Sequence, residues 1–564
     1  MTTLGAGNRA VATPELEATC DTNASPISFG QLSVLRRANR DRYFGTRPGA
    51  LGDALASRGL GIAVDGGGGV LLAGLITIAQ PQPVTRGVAL SIVEDAGVYD
   101  VRRPQREAAL RALDARLSNR LRAPAPTVTL VVGAGDAATG PPRLRVALVA
   151  GLGFSGGRLS SDSTGRAPYV ELIDVAPTVL DLLGVPVPDS MAGTPWQRAG
   201  GEVGVSELVD ASHHAAGRWD RGGTFVRLFV GFSSVVAVAA LAALRRGRQR
   251  AVEPACYFAA SLPVSSYLIN VLPWWRWSAL VLGIALGLVA GLIAVGASVV
   301  ARHRAPWGGA AVVAAVTGVV LAVDTATGTH LQLDGLLGDS TIVAGRFHGV
   351  GNTAFAVFAG AALISAAVLA HSVSSRGPRA AALVAGLIGV GAVALDGAPQ
   401  LGNDVGGVLA LSPAVVVLVL FVRETRLDRR VWAAAGAIGI AAALALLGYD
   451  VIAGRGHVGR FASDSSGGIR TTLDRRLVAM LHSWHSSPYV VMVAVALVVI
   501  AALARHSSLR AAFATQPAMR AGLIALGVCA VLGGVLNDSG AVVTGAAAAV
   551  GLPLLLAGCL RTAR

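Results

Sequence analysis

Residues Thr224–Arg250 read TFVRLFVGFSSVVAVAALAALRRGRQR. About twenty of these residues are mostly apolar, and at 1.5 Å of rise per residue that is enough helix to cross a ~30 Å hydrocarbon core. Arg227 near the start can snorkel to the headgroups. The stretch closes on Arg245, Arg246, Arg248 and Arg250, a cluster that holds its flank on the cytoplasmic side. Everything before it then lies outside the cytoplasm, and every later loop inherits a side.

Composition agrees with a membrane chain. Charged residues are 14% of the 564, against about 25% in a soluble protein, and the mean hydropathy is +0.60. The formal charge of +14 comes wholly from arginine. Much of that excess sits in short loops between apolar runs, which points to topology and to no nucleic-acid partner. The four cysteines, Cys20, Cys256, Cys529 and Cys559, form no CxxC or Cys/His metal spacing and read as unpaired thiols. The wealth of Ala, Val, Gly and Arg with no Lys suggests a high-GC bacterium.

Apolar runs continue at Cys256–Leu272, Ala279–Val300, Gly308–Val323, Ala354–Val373, Ala380–Leu395, Gly407–Val422, Val431–Ile452, Tyr489–Ala504, Ala521–Val535 and Ala541–Leu560. With the first stretch they predict an all-α bundle of about eleven spans over residues 223–564. Alternate connections are arginine-rich: Arg245–Arg250, Arg302–Arg304, Arg376–Arg379, Arg423–Arg430, Arg505–Arg520 and Arg561–Arg564. The positive-inside rule puts them in the cytoplasm with the C-terminus. The expected location is the plasma membrane, multi-pass. Trp274, Trp275 and Trp277 are expected to form an aromatic belt at the outer interface.

The remaining outer connections are polar and glycine-rich: HLQLDGLLGDSTIVAGRFHGVGN at His330–Asn352, DGAPQLGNDVGG at Asp396–Gly407, RGHVGRF at Arg455–Phe461 and NDSG at Asn537–Gly540. Charges at membrane depth are expensive unless paired or facing water, and irregular backbone is tolerated there only around a cavity. One outward-opening polar cavity lined by these loops follows. Arg346, Arg455 and Arg460, with Asn352, Asn403 and Asn537, are the expected substrate-binding groups, since guanidinium and amide donors suit phosphate. Asp396, Asp404, Asp538, His348 and His457 are the candidate acid, base or catalytic residues. The aspartates could also hold Mg²⁺ in this cavity. Such a site suits a lipid-linked phosphorylated substrate, for example on a polyprenyl phosphate, presented from the outer leaflet among membrane lipids. Two alternatives use the same residues differently: a transporter or flippase with Asp324 and Asp450 as coupling charges, and a non-catalytic envelope scaffold. Gly468–Trp484 places Ile469, Leu473, Leu477, Met480, Leu481 and Trp484 on one helical face, either an interfacial helix on the outer leaflet or a connecting helix packed on the bundle.

Residues 1–222 alternate helix-like and strand-like patches. Pro48–Arg58 and Arg106–Leu121 read as helices; Leu60–Val64, Val88–Val93, Thr127–Val132 and Leu144–Val149 read as strands. An open α/β sheet is expected, with Asp95 and Asp136 after its strands. Leu4–Ala10 reads as the middle of a unit, so a leading span or signal segment upstream is expected. Tyr169–Gly193, YVELIDVAPTVLDLLGVPVPDSMAG, reads as a strand end, a capping Asp174, Pro177 in a first helical turn and Gly184 at the helix end.

That last stretch resembles the "D-x-A-P-T-x-L-D-L-L-G-x-P-x-P" segment of alkaline-phosphatase-superfamily domains. The resemblance implies a phosphoryl- or sulfuryl-transferase fold using two metal ions held by Asp and His. Residues 1–212 contain no histidine, so the expectation is an incomplete, metal-free alkaline-phosphatase-like domain. The whole arrangement, with Gly345–Asn352 (GRFHGVGN), Gly402–Gly407 (GNDVGG) and Asn537–Gly540 (NDSG), resembles an uncharacterised family of actinobacterial polytopic membrane proteins with such a degenerate N-terminal domain.

Overall fold

The computed structural model describes residues 29–40, 46–65, 88–93, 103–122, 127–133, 141–424 and 468–562, less short gaps at 152, 155, 203, 248, 304–305 and 343–345, plus a few isolated positions. It divides into two compact units, Met1–Ser212 and His213–Arg564.

In the first unit the described elements are α1 (Phe29–Arg40), α2 (Ala50–Ala56), β1 (Gly61–Asp65), β2 (Val88–Val93), α3 (Arg103–Leu121), β3 (Thr129–Val132), β4 (Ala147–Ala150), β5 (Arg158–Ser160), α4 (Val175–Leu182) and β6 (Gln197–Ala199). The expected helices and strands between Pro48 and Val149 fall within a few residues of α2, α3 and β1–β4. The strand end expected ahead of Asp174 is instead a 3-10 turn at Leu172–Asp174, because that segment has no strand partner among the described residues and winds directly into α4. The described strands do not merge into one sheet: β1 and β2 pair in parallel, while β3–β4 and β5–β6 are antiparallel pairs. The core packs Leu51 and Leu55 of α2 against Val175, Ala176, Val179 and Leu180 of α4 and Trp196. In α3, Leu113 and Leu117 are half-buried while Leu110 and Leu121 are exposed.

Asp174 organises this unit, though not as a cap on α4. Its carboxylate makes no capping bond to that helix. It accepts from Ser161 Oγ (2.7 Å), Ser163 Oγ (2.5 Å), Thr194 N (3.0 Å) and Glu171 N (2.8 Å). Thr178 Oγ1 donates to Asp174 O and accepts from Trp196 N. Gly193 lies so close that a Cβ there would stand 2.1 Å from Ile173 O. The segment that resembles the phosphatase motif is therefore a hydrogen-bonded knot in which one buried acid serves four donors.

The second unit is a helical bundle. Its elements are α5 (Val205–Arg246), α6 (Gln249–Leu268), α7 (Ala279–His303), α8 (Gly308–Ala326), α9 (Asn352–Ser372), α10 (Pro378–Gly397), α11 (Val405–Val422), α12 (Gly468–Ser486), α13 (Tyr489–Ala504), α14 (Ser507–Thr515), α15 (Pro517–Leu536) and α16 (Gly540–Thr562); α5 begins ahead of the unit boundary. Among the described residues eight helices are long and apolar enough to span a membrane, or nine if the bent pair Leu477–Ser486 and Tyr489–Ala504 makes one span. This departs from the expected eleven at one span and leaves another untested. Helix α6 threads the bundle but carries Glu253, two prolines and buried Ser261, Ser265 and Ser266, and falls short as a span. Most of Val431–Ile452 lies outside the described residues.

Small residues let the helices close on one another, as bilayer packing requires where no hydrophobic drive separates helix from lipid. Gly522 seats against Ala367, Gly551 against Leu526, Gly389 against Val415 and Gly558 against Trp307. Helix α16 is buried along most of its length. At one end of the bundle the arginine-bearing helix termini meet: Arg561 Nη1 donates to Glu253 Oε1 (2.8 Å), Trp307 Nε1 to Ala512 O (3.2 Å) and Thr562 Oγ1 to Ser508 O (3.3 Å). The polar loops gather at the opposite end. The expected tryptophan belt is not one: Trp274 is fully buried with its Nε1 donating to Asn270 Oδ1 (2.7 Å), and Trp275 stacks on His214 at 4.1 Å.

Candidate functional site

Three segments separated widely in sequence make the polar end, and each is fastened by its own chemistry. The first leaves α8 at Ala326. Asp324, in that helix's last turn, accepts from Leu331 N (2.7 Å) and Gln332 Nε2 (3.0 Å). Gln332 Oε1 in turn accepts from Gly351 N (3.2 Å). Asp334 accepts from Thr341 N (2.9 Å) and Thr341 Oγ1 (2.8 Å). Asn270 Nδ2 donates to Leu331 O and Leu333 O, and Arg218 donates through two nitrogens to Gly338 O. Asp324 is thus a loop fastener, with both oxygens engaged.

The second segment turns between α10 and α11. Gly402 N donates to Leu395 O (3.0 Å) and Asp404 N to Asp396 O (3.0 Å). The turn is so tight that a Cβ on Gly402 would lie 2.0 Å from Asp396 O. Val350 N donates to Gly402 O (2.7 Å), which stitches the first segment to the second, and Gly349 at φ 83 makes room for that approach. The third segment is the turn between α15 and α16. Asn537 Nδ2 donates to Asn352 Oδ1 (3.0 Å), and Asn352 Nδ2 donates to Ser539 Oγ (2.8 Å) and Asp538 Oδ1 (3.2 Å).

The eight expected residues that fall among the described ones come together here: Arg346, His348, Asn352, Asp396, Asn403, Asp404, Asn537 and Asp538. Arg455, His457 and Arg460 lie outside the described residues. Depth sorts the eight. Asp538 is exposed, His348, Asn352 and Asn403 are half-buried, and Asn537 is buried. Arg346 is half-buried like its neighbours, donating to Val350 O and to Asn403 O (3.4 Å), and His348 Nε2 is 3.3 Å from Asn403 Nδ2. At the floor, Asp396 is 0% and Asp404 4% exposed. The Arg346 guanidinium is the cation that Asp339, Asp396 and Asp404 share.

The chain matches no family model, no curated protein and no solved structure. The site is therefore read from its own chemistry. Asp339, an acid of the first polar loop to which the sequence assigned no role, joins it. Its carboxylate packs where a Cβ on Gly351 would stand, with oxygens 2.3 and 2.8 Å away. Burial raises its pKa, against the lowering effect of Arg346 and Arg218. Gly407 does the same in the second segment: a Cβ there would lie 2.3 Å from Asp396 Oδ2 and 2.8 Å from Asp404 Oδ2. The glycines in GVGN and DVGG were the available signal, because a glycine beside buried acids leaves room for their oxygens. Among the described residues no group of three or more His, Cys, Asp or Glu side chains has metal-holding geometry.

Helix α12 reaches the same end. Trp484 Nε1 donates to Gly534 O (3.2 Å), and Ser483 Oγ accepts from Ala541 N (3.0 Å). Leu477, Val478 and Leu481 stay exposed, and the chain bends 75° before α13. The helix is anchored to the bundle near its C-terminal turn, while Leu477, Val478 and Leu481 are left uncovered.

Proposed function

We propose that this integral membrane protein belongs to the bacterial cell envelope, with its polar end on the outer face of the cytoplasmic membrane, where it binds or processes a lipid-linked phosphorylated substrate. The observation that carries this reading is the layering around Arg346. Half-buried amides, an imidazole and the Arg346 guanidinium form the rim, and buried carboxylates form the floor. Buried ionisable groups at membrane depth are costly and are kept for function. Asn352, Asn403, Asn537 and Arg346 would offer donors to phosphate oxygens, and His348, Asp404 or Asp538 would move a proton. A magnesium ion here would rest on one or two carboxylates completed by phosphate oxygens and water. The first unit, whose motif resembles an alkaline-phosphatase segment, would present or recognise the polar portion of the substrate without metal chemistry.

The excess of carboxylates over guanidinium around Arg346 favours a second reading, a flippase or transporter driven by a cation. One experiment separates them. The full-length protein and its Arg346→Ala and Asp404→Ala variants are titrated with polyprenyl phosphate in detergent micelles. Loss of binding at least tenfold in both folded variants supports the lipid-phosphate reading. Binding that is equal in all three removes it, and ion-coupled uptake lost in the same variants would then support transport.

A further inference from the structure

Asp396 has neither of its carboxylate oxygens hydrogen-bonded, and Asp404 Oδ2 is also without a partner. Both side chains are buried, in the last turn of α10 and at the residue ahead of α11. A buried acceptor left unmet costs the desolvation of that group, and a buried charge left unpaired costs more. Here two of the three unmet oxygens, one from each acid, converge on one place. Asp396 Oδ2 and Asp404 Oδ2 both crowd the α-carbon of Gly407, and a side chain there would expel them.

The surrounding charges do not balance the pair. Arg346 is the guanidinium facing it, and Asp339 draws on that same cation. Asp538 adds negative charge from the α15–α16 turn. Cys529 of α15 lies near both acids, and His348 is held against Asn403 at the rim. The deficit is one positive charge or more. A divalent ion such as Mg²⁺ would need phosphate oxygens and waters to complete its octahedron over these two carboxylates, since among the described residues no third His, Cys, Asp or Glu ligand joins them.

We propose that Asp396 and Asp404 form a monovalent-cation site beneath the polar end of the membrane unit, holding either one proton shared between the two carboxyls or one sodium ion. A shared proton would let one carboxyl donate to the other's free oxygen. A sodium ion would engage all three free oxygens at once. Loss of the cation leaves two carboxylates facing each other, and the repulsion falls on the 398–404 turn. That turn is stitched to Val350 and Arg346, so occupancy of the floor is transmitted to the rim. This inference goes beyond the headgroup reading and stands or falls without it, because its test contains no phosphorylated lipid.

The test follows thermal unfolding of the full-length protein in detergent through its tryptophan fluorescence. Wild type, Asp396→Asn and Asp404→Asn are compared at pH 8 in sodium chloride against equal N-methylglucamine chloride, and in sodium-free buffer from pH 5 to pH 8. A sodium site raises the wild-type midpoint by about 4 °C or more in sodium chloride. A proton site instead lowers the midpoint by a similar amount as pH rises without sodium. Asp334 and Asp339 also titrate, so the quantity read is the difference between wild type and variant, and either response must shrink in both variants. Responses that are identical in wild type and variants overturn the proposal, as does a wild type stabilised by magnesium chloride alone. Should the variants not fold, wild-type protein is treated with dicyclohexylcarbodiimide. An adduct on Asp396 or Asp404, suppressed by sodium or by raising the pH, supports the site, and its absence from both overturns it.

Discussion

Asp396 and Asp404 turn their carboxylates toward one point, the α-carbon of Gly407, although seven residues of tight turn separate them. The turn brings this about: Asp404 N donates to Asp396 O, and Gly402 folds against the same carbonyl. The relation makes Gly407 a position where any side chain would meet both carboxylates.

Gly407→Ala should therefore destabilise the bundle. Its methyl group would meet both carboxylates and Phe355 Cδ2 inside van der Waals distance, and overpacking of that kind costs about 1–3 kcal/mol. Gly391→Ala in α10 is the control, since nothing lies within 4 Å of its added Cβ; there the gain in helix propensity, roughly 0.5–1 kcal/mol, should be neutral or stabilising. Thermal midpoints of the two variants check this, and equal midpoints would remove Gly407 from the site's architecture.

Asp174→Ala should unfold the first unit selectively. It strips the acceptor from two hydroxyls and two backbone N–H groups in the buried knot. Hydrogen bonds to a charged group contribute about 1.5–3 kcal/mol each, short of additivity, so a loss of several kcal/mol is expected. Limited proteolysis of the full chain reads it out: cleavage within residues 1–212 should quicken while the bundle stays protected. Unchanged cleavage would mean the knot is dispensable.

The pH dependence has a defined sign at Asp334, in the loop between α8 and α9. Burial pushes its carboxyl up to about 6, only partly offset by its bonds to Thr341 and by Arg218. An acid whose pKa is raised on folding binds its proton more tightly in the folded state. Its contribution is then fully present below the ordinary value of 3.8 and is lost as pH rises through about 6. Stability should fall across that window by roughly 3 kcal/mol from this group. In Asp334→Asn the fall should shrink, leaving the same-direction contribution of Asp339. A slope that is the same in the variant and the wild type would contradict this.

Much of this was legible in the chain because it is local. A run of twenty apolar residues can only be buried or span, and arginines at alternate ends mark one end of the bundle, so the helices lie where hydropathy put them. The polar residues of the site stood out because Asp and Arg are conspicuous beside spans. What escaped depends on non-local packing. Asp339 reads as one more loop acid until Gly351 is seen beneath it. Trp274 reads as an interfacial ring until Asn270 and the 327–351 loop close over it. Asp174 reads as a helix cap because its donors Ser161, Ser163 and Thr194 come from other turns. Strand pairing in the first unit depends on partners far along the chain, which alternation alone does not specify.

The outward orientation of the polar end is the claim on which the proposed substrate rests, and labelling of intact cells tests it most directly. In a Cys20→Ser background the described cysteines, Cys256, Cys529 and Cys559, are buried. Ser278→Cys then places one exposed thiol at the polar end and Ser375→Cys one at the arginine end. A membrane-impermeant maleimide added outside should modify Ser278→Cys at once and Ser375→Cys only after permeabilisation. The reverse pattern would turn the molecule over and put the polar end in the cytoplasm, away from any outer-leaflet substrate.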